Sequence, residues 1–322
     1  MSKETKNGNL RAAKKNKNDE FYTQLSDIEK ELIHYKNHFK NKIVFCNCDD
    51  PKESNFFQYF ALNFSHLGLK KLITTHYEKD SQSYKLVVEH DINKDGVINL
   101  DDAIRTDLKG DGDFRSQESI EILKESDIIV TNPPFSLFRE YIAQLMKYDK
   151  KFLVIGSMNA ITYKEIFKHI KESRLWLGNG FQSGNAYFKT SHHTDSFAKG
   201  VYNEETGLVK FRNIVWYTNL DHKKRHEELL LYKTYEGNES DYPKYDNYDA
   251  IEVSKTKDIP KDYKGVMGVP ITFLDKFNPE QFEILGLDDH RAIYPKLAGC
   301  NSINGQKIYR RIVIKRKIDK IQ

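Results

Sequence analysis

Apolar positions in this chain follow two habits: short unbroken runs rich in Val and Ile, and longer stretches with helical spacing. The first habit predicts buried strands and the second amphipathic helices. On that basis helices are expected over 25–39, 54–67, 118–124, 137–146 and 162–170. Strands are expected over 42–46, 69–75, 84–89, 128–131 and 152–155, with 91–102 a loop. Two further strands, 176–178 and 213–217, are separated by a polar loop. Strands alternating with helices of these lengths imply an α/β fold with a mostly parallel sheet. Such sheets gather ligands at the carboxyl ends of their strands, where the turns at 47–51 and 132–135 fall. No internal repeat is present.

Beyond residue 224 the texture changes. Tyr232, Tyr235, Tyr242, Tyr245, Tyr248 and Tyr263 are interleaved with Lys, Asp, Asn and Pro. Strands are expected over 269–273 and 309–315 and a short helix over 279–285. The region reads either as a smaller second unit able to touch bases and phosphates, or as elements that cover the sheet.

The chain has 322 residues, 39% apolar and 30% charged, which supports a packed core. Its mean hydropathy is −0.70 and no apolar stretch approaches a membrane span, so a soluble protein without membrane contact is expected. The polar, basic N-terminus is not a signal peptide. Cys46, Cys48 and Cys300 make an odd set that fits neither a disulfide framework nor a four-ligand zinc site, which points to a reducing cytoplasm. No metal is expected. The segment 91–102 matches a calcium loop at several ligand positions and ends on Asp102, but it also reads as a hairpin turn at Asn93-Lys94-Asp95-Gly96.

Net charge is only +4, but its distribution says more. Lys3, Lys6, Arg11, Lys14, Lys15 and Lys17 form a flexible basic arm over residues 1–18. Lys307, Arg310, Arg311, Lys315, Arg316, Lys317 and Lys320 crowd the C-terminus, and His222-Lys223-Lys224-Arg225-His226 lies between. Three basic clusters with few interleaved acids favour contact with phosphates.

The most informative tetrapeptide is Asn132-Pro133-Pro134-Phe135, which directly follows the apolar run Asp127-Ile128-Ile129-Val130-Thr131. Two prolines remove two backbone donors and leave carbonyls to accept from elsewhere. Asn132 adds a side-chain acceptor and Phe135 a flat apolar face. Together they can hold an exocyclic amino group while stacking on its ring. The turn looks like the signature of amino-methyltransferases that use S-adenosylmethionine.

Further runs extend the likeness: Asp19-Glu20-Phe21-Tyr22-Thr23, Val44-Phe45-Cys46-Asn47-Cys48-Asp49-Asp50-Pro51 and Gly110-Asp111-Gly112-Asp113-Phe114-Arg115. With the segment 127–141, and with 238–251 and 265–274, they closely resemble the EcoRI-type adenine-N6 DNA methyltransferases of type II restriction systems. The resemblance covers most of the chain. It implies a Rossmann-like S-adenosylmethionine-dependent sheet, a catalytic domain over 19–225 and a smaller target-recognition region over 226–322.

The resemblance also implies roles for residues. The turn holding Asn47, Asp49 and Asp50 would approach the cofactor's methionine moiety, whose ammonium suits carboxylates. It lacks the glycine-rich turn of most methyltransferases. Asp113 and Phe114 would read the cofactor adenine, with Asp111 a rival for the acid. Glu78 would hold the ribose hydroxyls, and Tyr22 would belong to an N-terminal element folded over the cofactor. Asn132, Pro133, Pro134 and Phe135 would form the catalytic turn.

The reaction expected is methylation of adenine N6 in double-stranded DNA by a monomer, with the target base flipped out of the stack. A cognate restriction endonuclease recognising the same site is an expected companion, without direct contact. Two other readings stand beside it. One is an amino-methyltransferase acting on RNA or on a protein glutamine, separated by comparing methyl incorporation into the three polymers. The other is a catalytically inactive DNA-binding regulator, separated by a test of cofactor binding.

Overall fold

The computed structural model describes residues 21–48, 50–77, 82–181, 184–190, 197, 200–246, 248–288 and 302–317. The basic arm at 1–18, Asp49, Glu78, Cys300 and Lys320 lie outside the described residues. The chain forms two compact units, Met1–Ala160 with Gly178–Leu220, and Ile161–Leu177 with Asp221–Gln322.

The first unit opens with the two-residue strand β1 (Tyr22–Thr23) and helix α1 (Leu25–Leu32), which continues through a 3-10 turn into a helical turn ending at Phe39. Strand β2 (Ile43–Cys46) is buried at every position, as is β6 (Ile128–Thr131), which explains their unbroken apolar runs. Between them lie α2 (Asn55–Leu62), β3 (Lys71–His76), β4 (Tyr84–Val88), β5 (Ile104–Asp107) and α3 (Gln117–Glu125). After β6 come α4 (Phe138–Lys147) and β7 (Lys151–Ser157). Helix α5 (Lys164–Lys171) and strand β8 (Trp176–Leu177) go with the second unit. The first unit resumes with β9 (Asn185–Lys189), β10 (Tyr202–Asn203), β11 (Leu208–Arg212) and β12 (Ile214–Thr218).

In this unit the large sheet runs β5-β4-β3-β2-β6-β7-β12. Its four central strands are parallel, whereas β4, β5 and β12 are antiparallel to their neighbours. The mostly parallel sheet expected from the alternation is therefore a parallel core with antiparallel flanks. A second sheet, β1-β9-β11-β10, is antiparallel. Two of its strands, β9 and β11, arise where a polar loop was expected. Buried Ala186 and Phe188 alternate there with exposed Tyr187 and Lys189, so the apolar face is hidden in a polar composition.

A buried carboxylate ties α1 to the chain leading into β9. Glu31, 1% exposed, accepts from Tyr35 Oη at 2.9 Å, Asn179 N at 2.7 Å and Gly180 N at 2.9 Å. Burial raises its pKa above the ordinary value of 4.5 despite those bonds. A raised folded pKa contributes stability that is complete below the unfolded value and lost as pH rises through the folded one. The stability of wild type relative to Glu31→Gln is therefore expected to fall from pH 5 to pH 8. Urea midpoints of the two proteins at both pH values check this, and a constant difference would contradict it.

The second unit carries β13 (Ile251–Glu252), β14 (Val266–Pro270), β15 (Phe282–Asp288), the hairpin β16 (Ser302–Ile303) and β17 (Gln306–Lys307), and β18 (Arg311–Arg316). Its main sheet runs β13-β14-β18-β15. The helix expected over 279–285 is instead β15. Phe282 and Ile284 are buried around exposed Glu283, and a bulge before Gly286 disguises the alternation. The strand expected over 269–273 ends at Pro270, which has no N–H for a ladder, and a 3-10 segment Ile271–Lys276 follows.

Several tyrosines read as base-contacting groups serve this unit's own packing. Tyr242 and Tyr245 are both 5% exposed, and Tyr245 Oη donates to Glu252, which also forms a bidentate pair with Arg311. Tyr232, at 76% exposed, faces solvent. The central basic cluster is likewise engaged: Lys224 pairs with Asp275 at 2.6 Å, Arg225 lies 3.9 Å over the Trp176 ring, and His226 contacts Asp221. No helix among the described residues is long and apolar enough to cross a membrane.

Candidate active site

Asn132 leaves the carboxyl end of β6, whose neighbours β2 and β7 run parallel to it. It is 7% exposed, and its Nδ2 donates to the Phe21 carbonyl at 2.6 Å. A primary amide has a donor end and an acceptor end, so this bond fixes which way Oδ1 points. Pro133 is buried. The Pro134 carbonyl accepts from Leu137 N at 3.0 Å and so takes part in the turn itself.

Phe135 belongs to an aromatic cluster. Its ring stacks on Phe21 with centroids 6.2 Å apart, and it meets Phe188 and Phe211 edge-on at 6.3 and 6.2 Å. Phe21 in turn packs on Phe211 at 4.7 Å. The segment 21–23 thus folds across the Asn132 turn. Tyr22 is 8% exposed and pairs in β1 with Lys189 of β9.

The second half of the site follows β2. Asn47 is 4% exposed, and its Oδ1 accepts from Tyr141 Oη and from Cys48 Sγ at 3.7 Å. Asp50 turns the chain: its Oδ1 accepts from Lys52 N at 2.9 Å, while Oδ2 stands 3.5 Å from His76 Nδ1 at the end of β3. Phe114 is 5% exposed and meets the Tyr141 ring edge-on at 5.1 Å. Asp113 is clamped by Arg115, with Nε–Oδ1 at 2.8 Å and Nη2–Oδ2 at 2.7 Å, whereas Asp111 is exposed.

Gly112 sets the height of this turn. It has φ +78°, and a Cβ there would collide with the His76 carbonyl oxygen and lie 3.1 Å from its carbon. Only glycine lets the 110–113 segment lie this close to the end of β3.

The structure therefore brings Asn132, Phe135, Tyr22, Asn47, Asp50, Asp113 and Phe114 to the carboxyl ends of the central strands and the loops beside them. Sequence reasoning missed Tyr141, which joins Asn47 to Phe114 from the helix launched by the Asn132 turn. Its place on the buried stripe of α4 was visible, but its hydroxyl's partner was not. Phe188 and Phe211, which pack on Phe135, were missed as well, since that partner is distant in sequence.

In the 91–102 loop the acids serve the loop itself. Asp91 accepts from Lys94 N and Gly96 N, and Asp102 from Ile92 N and Asn99 N. Those backbone bonds hold the Asp102 pKa below its ordinary value. Among the described residues no group of three or more His, Cys, Asp or Glu side chains could hold a metal ion.

Residues 9–317 match the family model described as adenine-specific methyltransferase EcoRI. The chain is 50% identical to the Type II methyltransferase M.EcoRI of Escherichia coli over 331 residues, covering 98% of this chain and 99% of that protein. It is 40% identical to M.MgeORF184P of Mycoplasma genitalium, covering 95% of this chain and 98% of that one. It is also 40% identical to M.MpnI of Mycoplasma pneumoniae, at 95% and 97% coverage. No solved structure matches the chain. With a family model spanning nearly all of it and a relative identical at half its positions, this chain belongs to the EcoRI family of adenine-specific methyltransferases.

Proposed function

We propose that the protein methylates the N6 amino group of an adenine flipped out of a specific duplex DNA sequence, with S-adenosylmethionine as donor. The observation that carries this reading is the buried Asn132 amide, held by the Phe21 carbonyl with its acceptor end set, beside Pro133 and Phe135. Adenine N6 is a weak nucleophile because its lone pair is delocalised into the ring. Acceptance of its two N–H bonds by Asn132 Oδ1 and the Pro133 carbonyl favours the tetrahedral nitrogen that attacks. Phe135 provides the apolar face for the flipped ring, and Pro134 stiffens the turn. The proposed chemistry calls for no metal.

The donor set fits the cofactor. Half-buried Asp50, at the end of β2, suits an ammonium group, and the Asn47 turn borders it. Asp113 with Phe114 matches an adenine by one acceptor and one ring, with Tyr22 folded over from the N-terminal side. On sequence grounds Asp49 is proposed for the ammonium group as well, and Glu78 for the ribose hydroxyls. When bound, S-adenosylmethionine supplies an electrophilic methyl group.

In this reading residues 19–225 form a Rossmann-like catalytic domain acting as a monomer in the cytoplasm. Residues 226–322 recognise the target, and a cognate endonuclease reads the same site, as the Type II names of the relatives suggest. Incubation with methyl-labelled S-adenosylmethionine and equal amounts of DNA, RNA and protein tests it. Label is expected in DNA; incorporation into RNA or protein instead would contradict the reading.

Lys307 and Lys315 of the second unit are exposed, as is Lys223. Phosphate contacts by such cations displace counterions, so affinity for duplex DNA is expected to fall at least roughly tenfold between 50 and 200 mM salt. Fluorescence anisotropy across a salt series measures the slope, and a flat one would contradict phosphate contact.

A further inference from the structure

Asn55 is the first residue of α2 and ends the turn that follows β2. Its backbone is held on both sides: Ser54 Oγ accepts from Phe56 N at 3.2 Å, and the Asp50 carbonyl accepts from Ser54 N at 2.6 Å. From this fixed place Asn55 Nδ2 donates to the Thr23 carbonyl at 2.6 Å. Thr23 lies in β1, whose other edge pairs with Phe188 of β9. Two residues before it, the Phe21 carbonyl accepts from Asn132 Nδ2 at 2.6 Å. A continuous line of contacts thus joins the end of the β2 turn to the catalytic amide.

We infer that Asn55 is a positioning residue for methyl transfer: by anchoring Thr23 it keeps the Phe21 carbonyl on Asn132 Nδ2, so that Oδ1 faces the target amine. The inference rests on Asn132 being the acceptor of that amine. A primary amide turned by 180° has nearly the same shape but presents N–H groups to an amino group that is itself a donor. Burial makes such a mismatch costly, because neither donor can turn to water. Asn55 touches no reacting atom and acts through two carbonyls.

The test uses full-length protein, duplex DNA and labelled S-adenosylmethionine under single-turnover conditions. Active sites are titrated with a cofactor analogue that lacks a transferable methyl. Asn55→Ala and Asn55→Asp, neither of which can donate at neutral pH, are expected to lower the transfer rate per active site roughly ten- to a hundredfold. Affinities for cofactor and DNA should stay within about twofold, the split expected of a lost positioning contact.

The same change is then made in an Asn132→Asp background. A carboxylate has no wrong end and gains nothing from the Phe21 carbonyl, so Asn55→Ala is expected there to leave the rate unchanged or to raise it. Equal fractional losses in both backgrounds would overturn the inference, as would normal rates in both Asn55 variants. A loss explained by weaker cofactor binding would overturn it too. If wild type transfers no methyl to adenine, the underlying reading fails, and the inference fails with it.

Discussion

Asn132→Ala is expected to retain S-adenosylmethionine and duplex DNA while single-turnover methyl transfer falls by roughly 10²–10³-fold, the loss typical when one preorganised group is removed from a transition state. The substitution deletes the proposed acceptor for the target amine but leaves Asn47, Asp50 and Phe114 in place. A contact made chiefly in the transition state appears in kcat rather than in binding. The change also strips the Phe21 carbonyl of its donor, at about 1–3 kcal/mol if that group stays buried. Stability alone would then lower the folded fraction without changing the rate per titrated site. Parallel loss of cofactor affinity would instead mark Asn132 as part of the binding cradle.

Gly112→Ala is expected to damage the other half of the site. At φ +78° an L-residue is strained by about 1–3 kcal/mol, and the new Cβ meets the backbone of His76 and Tyr77, which cannot swing aside as a side chain would. The 110–113 turn must lift off β3, moving Asp113 and Phe114 with it. Cofactor affinity should therefore fall at least roughly tenfold, since misplacing such groups by about 1 Å costs up to 10². Gly96 provides the control. It has φ +89° but nothing within 4 Å, so Gly96→Ala should show strain without a change in cofactor binding. Calorimetric titration of both variants separates the two effects, and equal affinities would contradict the assignment of the 110–113 turn.

The parallel core of the sheet was legible because β2, β6 and β7 are buried on both faces and so read as unbroken apolar runs. The Asn132 turn was legible for the same reason: it stands where such a run stops. The antiparallel sheet of β9 and β11 was not, because only alternate residues are apolar and the polar ones dominate the window. Strand β15 was read as a helix because its bulge breaks the period of two. Within the site, residue types could be read but partners could not. Nothing local marks the Phe21 carbonyl as the group that orients Asn132, since it lies 111 residues away. Of the basic cluster at 222–226, the side chains of Lys224, Arg225 and His226 are directed to acids and a ring of the second unit, a use that composition cannot distinguish from phosphate contact.

The most direct test of the account is the identity of the modified nucleoside. Duplex DNA incubated with the protein and methyl-labelled S-adenosylmethionine is digested to nucleosides and resolved by chromatography with mass detection. All label is expected to coelute with N6-methyldeoxyadenosine, and in incubations kept within the first wild-type turnover Asn132→Ala should lower that peak roughly 10²–10³-fold. Label in a methylated cytosine, or an undiminished N6-methyldeoxyadenosine peak from Asn132→Ala, would contradict it.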